Sequence, residues 1–417
     1  PVHTSDACRE QDGIGQTVNA KDNGYQMNNN ITPSAMRTNI RYILLAMLLA
    51  LVPTMLMAGR EVNSAQMSGE ITIDNVSTAK ELHISYMYGE VELVFWNKNE
   101  IMLKYVETLK APTKKHAEDA LQRRNVVQRN TGEKYFLEIQ KTSYGDRNLS
   151  YDSKWTIYVP VRQKSVSVWN EYGNVSVGTG YDKQIRINVK HGDVSVPKTK
   201  AMCMVIVDHG NFSMGNVGYL NLNTKYANGT IGFANVLNLS CDHAEAIMID
   251  EVQDLNVNNS QHSKMRIGRL NNAKVSASYC EIFAIDVLGT ALMKNVRYSG
   301  ISMTNLRGRC DFSDISYSKI NVTVGKSNRE PRVLVPDARF SDVTVSIPKT
   351  LQVSCLLRNK YGKIEFDVPA SVKQHVVENK KDYSQTTMHT LLNTTSFAPS
   401  SVIDIQNSNG NITIKGY

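Results

Sequence analysis

The sequence contains no C-x-x-C pair, no phosphate-binding G-x-x-x-x-G-K-[ST] loop, no G-x-S-x-G elbow, no H-E-x-x-H helix and no calcium-binding glycine–aspartate repeat. These gaps remove the commonest sequence signatures of nucleotide, serine-hydrolase, zinc-peptidase and calcium-repeat chemistry. Proline is scarce, at 11 of 417 residues, and there are only 3 Trp. Few breakers alongside abundant Asn, Ser, Thr, Val and Ile lean toward β-structure. Beyond Ala58 five cysteines remain (Cys203, Cys241, Cys280, Cys310, Cys355), an odd number with no metal-ligand spacing. They read as buried thiols among strands, with no metal and no cofactor. Charged residues at 21% and a hydrophobic fraction of 41% exclude a wholly disordered chain.

Only one long apolar run is present, from Tyr42 to Ala58, preceded by Met36, Arg37 and Arg41. A basic start, a short apolar stretch and small residues at its end describe a secretory signal. A membrane-spanning helix needs about 20 apolar residues, and this run is shorter and carries Pro53 and Thr54. Residues 36–58 therefore read as a cleaved signal peptide, with Ala58 at the boundary. Residues 1–35 read as upstream or disordered sequence. The mature protein is then exported, to the periplasm or outer surface of a bacterium, and is not an integral membrane protein.

What the rest of the chain has is a repeat. From residue 172 a motif recurs: a ring, two or three turn residues, then apolar–x–apolar. The ring column runs Tyr172, His191, His209, Tyr226, His243, Gln261 (the one non-ring member), Tyr279, Tyr298, Tyr317, Phe340, Tyr361. The second apolar anchor runs Val177, Val196, Met214, Ile231, Ile249, Ile267, Ile285, Met303, Val322, Val345, Phe366, advancing by 17 to 23 residues. A third apolar position follows in the middle copies, at Val217, Val252, Leu270, Leu288 and Leu306, and then an alternating strand such as Leu220-x-Leu222. Period-2 alternation marks strands with one buried face. One copy cannot bury that face alone, whereas stacked copies can. The expected fold is therefore all-β, a right-handed parallel β-helix or solenoid with coils of about 18 residues.

The same motif at Ile71 and Ile73, at Val91 and Leu93, and at Ile412 and Ile414 extends the domain to 59–417. Two stretches interrupt it. Residues 97–165 form an α/β-like insertion, with a helical pattern at Lys114–Arg124, and residues 369–400 form a polar capping loop.

Parity places the ring column on the buried side, as a stacked ladder closing one edge of the core. The other reading is a carbohydrate platform, or a metal site at His191 and His209. One residue earlier Glu171, Lys190, Asp208, Lys225 and Asp242 point outward with alternating sign. Asp208 and Asp242 could be taken as a glycosidase carboxylate pair, but Lys225 between them would hold both ionised, so no catalytic residue is assigned. The net charge of +8 concentrates in the insertion, where Lys98–Lys164 holds 14 Lys/Arg against 8 Asp/Glu. Lys114, Lys115, Arg123 and Arg124 are its densest part and the candidate ligand-binding residues. They read either as a solvated helix face or as a dock for anionic glycan or another envelope component. Nucleic acid is not expected to be a partner.

The copies Tyr172-Gly-Asn-Val-Ser-Val and His191-Gly-Asp-Val-Ser-Val, with Trp155-Thr-Ile-Tyr-Val-Pro, resemble the putative-adhesin family of exported bacterial proteins from about Glu61 to Tyr417. The resemblance implies a signal peptide, an early hairpin-like insertion and a short-coil parallel β-helix. It transfers no catalytic residue. Ala227, Ala244 and His262 replace the family's turn glycine, and Lys294 stands where an apolar residue is expected, so bulges are expected there. The expected function is a non-enzymatic binding scaffold. The alternative is a polysaccharide-active β-helix lyase or hydrolase.

Overall fold

The computed structural model describes residues 63–74, 76–123, 125–140, 150–326, 330–396 and 399–417. Residues 1–35, the apolar run Tyr42–Ala58 and Arg124 lie outside the described residues. No helix among the described residues is long and apolar enough to cross a membrane.

The described chain is nearly all strand, and its middle strands pair in parallel with neighbours one repeat away. Ile231 faces Ile249, Ile249 faces Ile267, Ile267 faces Ala284 and Ala284 faces Met303. Met303 then faces Val322, and Val322 faces Val345. The alternating second strand stacks the same way, Leu239 on Val257 and Val257 on Val275. A core of Val, Ile, Leu and Met runs without interruption from Ile73 to Ile414. The five thiols sit in it, all free and buried. Burial pushes the Cys203 and Cys355 thiols up to about 12 and Cys280 up to about 11, because a thiolate there would lose its hydration.

Anchor identity slips by one residue in a single copy. Ile282, Ala284 and Val287 are buried, whereas Phe283, Ile285 and Leu288 are only partly covered. Ile285 and Leu288 are therefore not anchors. Outside the His243 copy, where Ile247 stands four residues on, the anchor position stands three residues after its ring, as Val194 follows His191 and Ile301 follows Tyr298. Tyr279 thus selects Ile282, although Phe283 is the more hydrophobic side chain.

The expected bulge at Ala227 is absent, whereas the turn at Ala244 holds one extra residue, since Ile247 stands four after its ring and faces Gly229, three after Tyr226. From Ala227 to Ser341 the position after each ring is a column of buried small residues, and Ala227 and Ala244 are as covered there as Ser263 and Cys280. Space is the reason. A Cβ on Gly192 would lie 2.1 Å from the Gly173 carbonyl oxygen. In the later copies serine hydroxyls link the column, with Ser299 N–H donating to Ser318 Oγ and Ser318 N–H to Ser341 Oγ. Register breaks fall before the corner instead, between Leu239 and Asp242 and between Val257 and Ser260. Lys294 does not need an apolar environment: it is exposed, and the left-handed Asn295 beside it returns Val296 to the core.

At both ends, chain order and stacking order part. Strand Glu81–Tyr88 lies between Lys134–Gln140 and Ser165–Tyr172, and Glu90–Trp96 lies between Ser150–Pro160 and Val175–Val177. The first repeat is thus roofed by the return limb of the insertion. Ile101–Ala111 then pairs antiparallel with Ser150–Pro160 on one side and Asn63–Ile73 on the other. The far end repeats the device in reverse. Val402–Ser408 lies between Arg332–Arg339 and Val353–Lys360, and Ile412–Gly416 lies between Asp342–Ile347 and Ile364–Asp367. Residues 369–400 hold a hairpin, Gln374–Lys381 with Gln385–Leu392, laid antiparallel against Val353–Lys360. A parallel stack would otherwise end in a row of unpaired N–H and C=O groups. The outermost strand, Gln374–Lys381, is mostly polar and exposed along its length, with Glu378, Lys380 and Lys381 discouraging further pairing.

The insertion also holds a polar knot. Glu107, 1% exposed, accepts from Tyr151 Oη at 2.6 Å and from Trp155 Nε1 at 3.2 Å, and Tyr86 Oη donates to Ser153 Oγ at 2.5 Å. Burial pushes the Tyr86 phenol up to about 12 and Tyr151 further still.

Candidate functional site

The ring column is stacked but not buried. From Tyr88 and Tyr172 to Tyr317 and Phe340, successive centroids lie 4.8–5.1 Å apart. Among the tyrosines and Phe340 of Tyr279–Phe340 the planes differ by only 2–5°. His262, not Gln261, supplies the ring of its copy, against His243 on one side and Tyr279 on the other. Exposure runs from 41% at Tyr172 to 63% at Tyr361. The expectation of a column on the buried side is thus corrected: the ladder stands on the outside of a corner.

Backbone conformation is the cause. His191, His209, Tyr226, His243, His262, Tyr279, Tyr298, Tyr317, Phe340 and Tyr361 all have φ between 47° and 60°. A left-handed residue turns its Cβ out of the strand alternation, so parity counted through it gives the wrong face. Bulky rings rarely occupy this region, which costs roughly 1–3 kcal/mol per residue. Two observed interactions offset that. Each ring covers its neighbours' faces, worth roughly 0.5–1.5 kcal/mol per pair beyond burial. Corner N–H groups also donate to the adjacent repeat, His191 to Asp208 O at 2.8 Å and Tyr298 to Ser316 O at 3.1 Å, while Tyr361 donates to Ser384 O of the capping hairpin.

Ring faces are therefore used up within the ladder, and its outward surface consists of ring edges, tyrosine hydroxyls and imidazole nitrogens. The row ends at Asn409, which the inserted last repeat places between Phe340 and Tyr361: Phe340 N–H donates to Ser408 O and Asn409 N–H to Lys360 O. His191 and His209 do stack, at 5.0 Å, but no group of three metal-binding side chains occurs among the described residues. Asp208 and Asp242 each lie against the next residue's imidazole, at 2.8 Å from His209 Nδ1 and 2.7 Å from His243 Nδ1. At position 243 the hydrogen bond fixes the Nδ1 side of the ring and turns Nε2 outward.

The basic candidates stand elsewhere. Lys114 and Lys115 open the helix Lys114–Gln122 and Arg123 caps its far end, all exposed. The helix packs through Ala117, Ala120 and Leu121 against Leu109 and Ala111. Lys114 is 3.9 Å from Glu118. Several other cations of the insertion also have acidic neighbours, such as Lys104 with Glu70, Lys134 with Glu81 and Lys154 with Glu92. The structure thus spreads Lys114, Lys115 and Arg123 over both ends of one helix instead of converging them on a cavity.

Beside the ladder, outward side chains of the anchor strands line a cavity of about 450 Å³ that includes Met248, Arg266, Phe283, Ser302 and Asn321. Alternation beside Ile249 already turns Met248 outward, and the structure leaves it exposed, but Phe283 was missed as a surface residue. The ring-plus-three spacing was the signal for Phe283, since it turns Ile282 inward and Phe283 out.

No family model matches the chain, and no curated protein matches it. Three crystal structures share a remote likeness. One is a putative cell adhesion protein from Clostridium sporogenes, at 10% identity and TM-score 0.21, covering 85% of this chain and all of that one. Another is a putative adhesin from Bacteroides fragilis, at 11% identity and TM-score 0.25, covering 85% and 97%. The third is a putative lipid binding protein from Parabacteroides distasonis, at 12% identity and TM-score 0.21, covering 69% and 94%. At these scores none carries an inference about this chain.

Proposed function

We propose that the protein is an exported, non-enzymatic scaffold of the bacterial envelope, a right-handed parallel β-solenoid that holds an extended glycan along its ring ladder. Parallel pairing at offsets of one repeat supports the solenoid, and the leader at residues 36–58 supports export. The observation that carries the function is the ladder's exposure. A structural ladder gains as much from stacking when its edges are covered. Here a stripe of half-exposed rings persists from Tyr172 to Phe340, unbroken by histidine over Tyr279, Tyr298, Tyr317 and Phe340, and contiguous exposed aromatic surface marks interaction sites. Amphipathic tyrosine edges suit a ligand that is part apolar and part hydroxylated. A polymer that repeats along its own length meets the same group at each step of about 4.8 Å.

The test is an immobilised panel of bacterial and plant polysaccharides, probed with the intact mature protein while the supernatant is assayed for released sugar. Retention on an extended glycan without product is the expected result. Product release would replace the binder with the polysaccharide-active enzyme, and retention on none of the panel would overturn the glycan reading.

A further inference from the structure

The cavity beside the ladder is built by a missing side chain. Across four successive repeats the outward positions read Lys264, Glu281, Gly300, Lys319 in one row and Arg266, Phe283, Ser302, Asn321 in the next, each aligned by strand register. The Arg266 guanidinium lies over one face of the Phe283 ring, 5.2 Å from its centroid. The other face looks toward the repeat of Gly300 and Ser302. A Cβ built on Gly300 would meet nothing nearer than Glu281 Cγ at 4.0 Å, so the slot beside that ring face is open.

Charge around the slot is uneven. Glu281 is paired with Lys264 at 3.4 Å, both largely exposed, and Glu245 also lines the same cavity. Lys319, on the far wall, is in no ion pair among the described residues, although Asp342 is in register with it on the next repeat, and Arg266 is in none either. The slot thus offers an aromatic face, the Lys319 ammonium outside any ion pair, a carboxylate paired with Lys264, and the Asn321 amide and Ser302 hydroxyl.

We propose that this slot binds an acidic pyranose, a uronate residue within the glycan that the ladder holds, an assignment that rests on the glycan reading. The C–H face of the sugar lies on Phe283, its carboxylate meets Lys319, and its hydroxyls donate to Glu281 and pair with Asn321. A site of few polar groups around one apolar wall is the usual construction for small ligands. Phosphate fits less well, because its double charge would stand beside Glu281 and it has no apolar face for Phe283. Gly300 is what admits the ring.

The test titrates the intact mature protein by calorimetry with oligogalacturonate and with a neutral galactan oligomer of equal length, at low salt. The uronate should bind more tightly, and Lys319→Gln should erase that preference, a change of about fivefold for one exposed ion pair. Phe283→Ala should weaken both oligomers, and Gly300→Val should do the same by filling the slot. Equal affinity for the two oligomers, or uronate binding indifferent to Phe283→Ala and Lys319→Gln, overturns the assignment. Absence of uronate binding by the intact protein overturns it too. Retention of other glycans on the panel in that case leaves the ladder reading standing, so the two fail separately.

Discussion

The middle of the protein and its two ends use the same strands to opposite purposes. Between Val175 and Val324 the chain climbs in order, each copy resting on the one before. The rings are continuous there, and the outer face carries a cavity. At the ends the order is broken: the repeat at Glu81–Trp96 and that at Val402–Gly416 are each held between two others. A strand bonded on both sides cannot fray from an open edge. The difference teaches that regular stacking presents surface, while threading and antiparallel hairpins close the stack.

The sharpest break of that contrast is in the core of the middle. Ile249→Asp and Ala284→Asp bury an unpaired carboxylate and should each cost several kcal/mol. Met248→Asp and Ile285→Asp, on partly exposed positions, should stay within about 1 kcal/mol. Denaturant midpoints check this, and equal losses at 284 and 285 would remove the one-residue slip described above.

At the end with the insertion, Glu107→Ala removes the 2.6 Å acceptor of Tyr151 Oη and one of the two acceptors of Trp155 Nε1, which keeps Ser153 Oγ, and should cost about 1–3 kcal/mol. Hydrogen exchange should show the loss confined to Ile101–Ala111 and Ser150–Pro160, with amides of Ile247–Ser278 still protected. Uniform deprotection would mean that ends and middle are one cooperative unit.

Threading at the far end is tested by oxidation of paired cysteines. Thr344 and Thr413 are in register on an outward face, so Thr344→Cys with Thr413→Cys should form a disulfide. Thr344→Cys with Glu365→Cys, adjacent only if the chain stacked in order, should not. The native thiols add little background, since burial raises them far above neutral pH and only the thiolate reacts. The smallest effect belongs to the ladder. Tyr298→Asn loses stacking but suits a left-handed corner, so stability should change by less than about 1 kcal/mol.

The repeat, its period and most of its core were legible in sequence because each copy restates the same alternation. Exposure of the rings was not, because alternation was counted through residues whose left-handed backbone reverses it. His262 hid behind Gln261 for a related reason, as the register slips just before that corner. Threading was invisible in principle. Ile412 and Ile414 announce a repeat, but nothing in them says that it lies inside Ile364 and Phe366 instead of beyond them. The candidate cavity was half legible: the ring-plus-three rule turns Phe283 outward, but only strand register sets Gly300 beside it.

The proposed glycan site puts the contrast between middle and ends to its most direct test. The direct measurement is affinity for one retained polysaccharide, taken at low and moderate salt, for two variants beside the intact protein. One carries Lys114, Lys115, Arg123 and Arg124 changed to Ser, and the other carries Tyr279, Tyr298 and Tyr317 changed to Ser. The account predicts that the ladder variant loses binding while the helix variant keeps it. Binding lost in the helix variant, falling steeply with salt as exposed charges are screened over about 10 Å, and kept in the ladder variant would contradict it and move the site to the insertion.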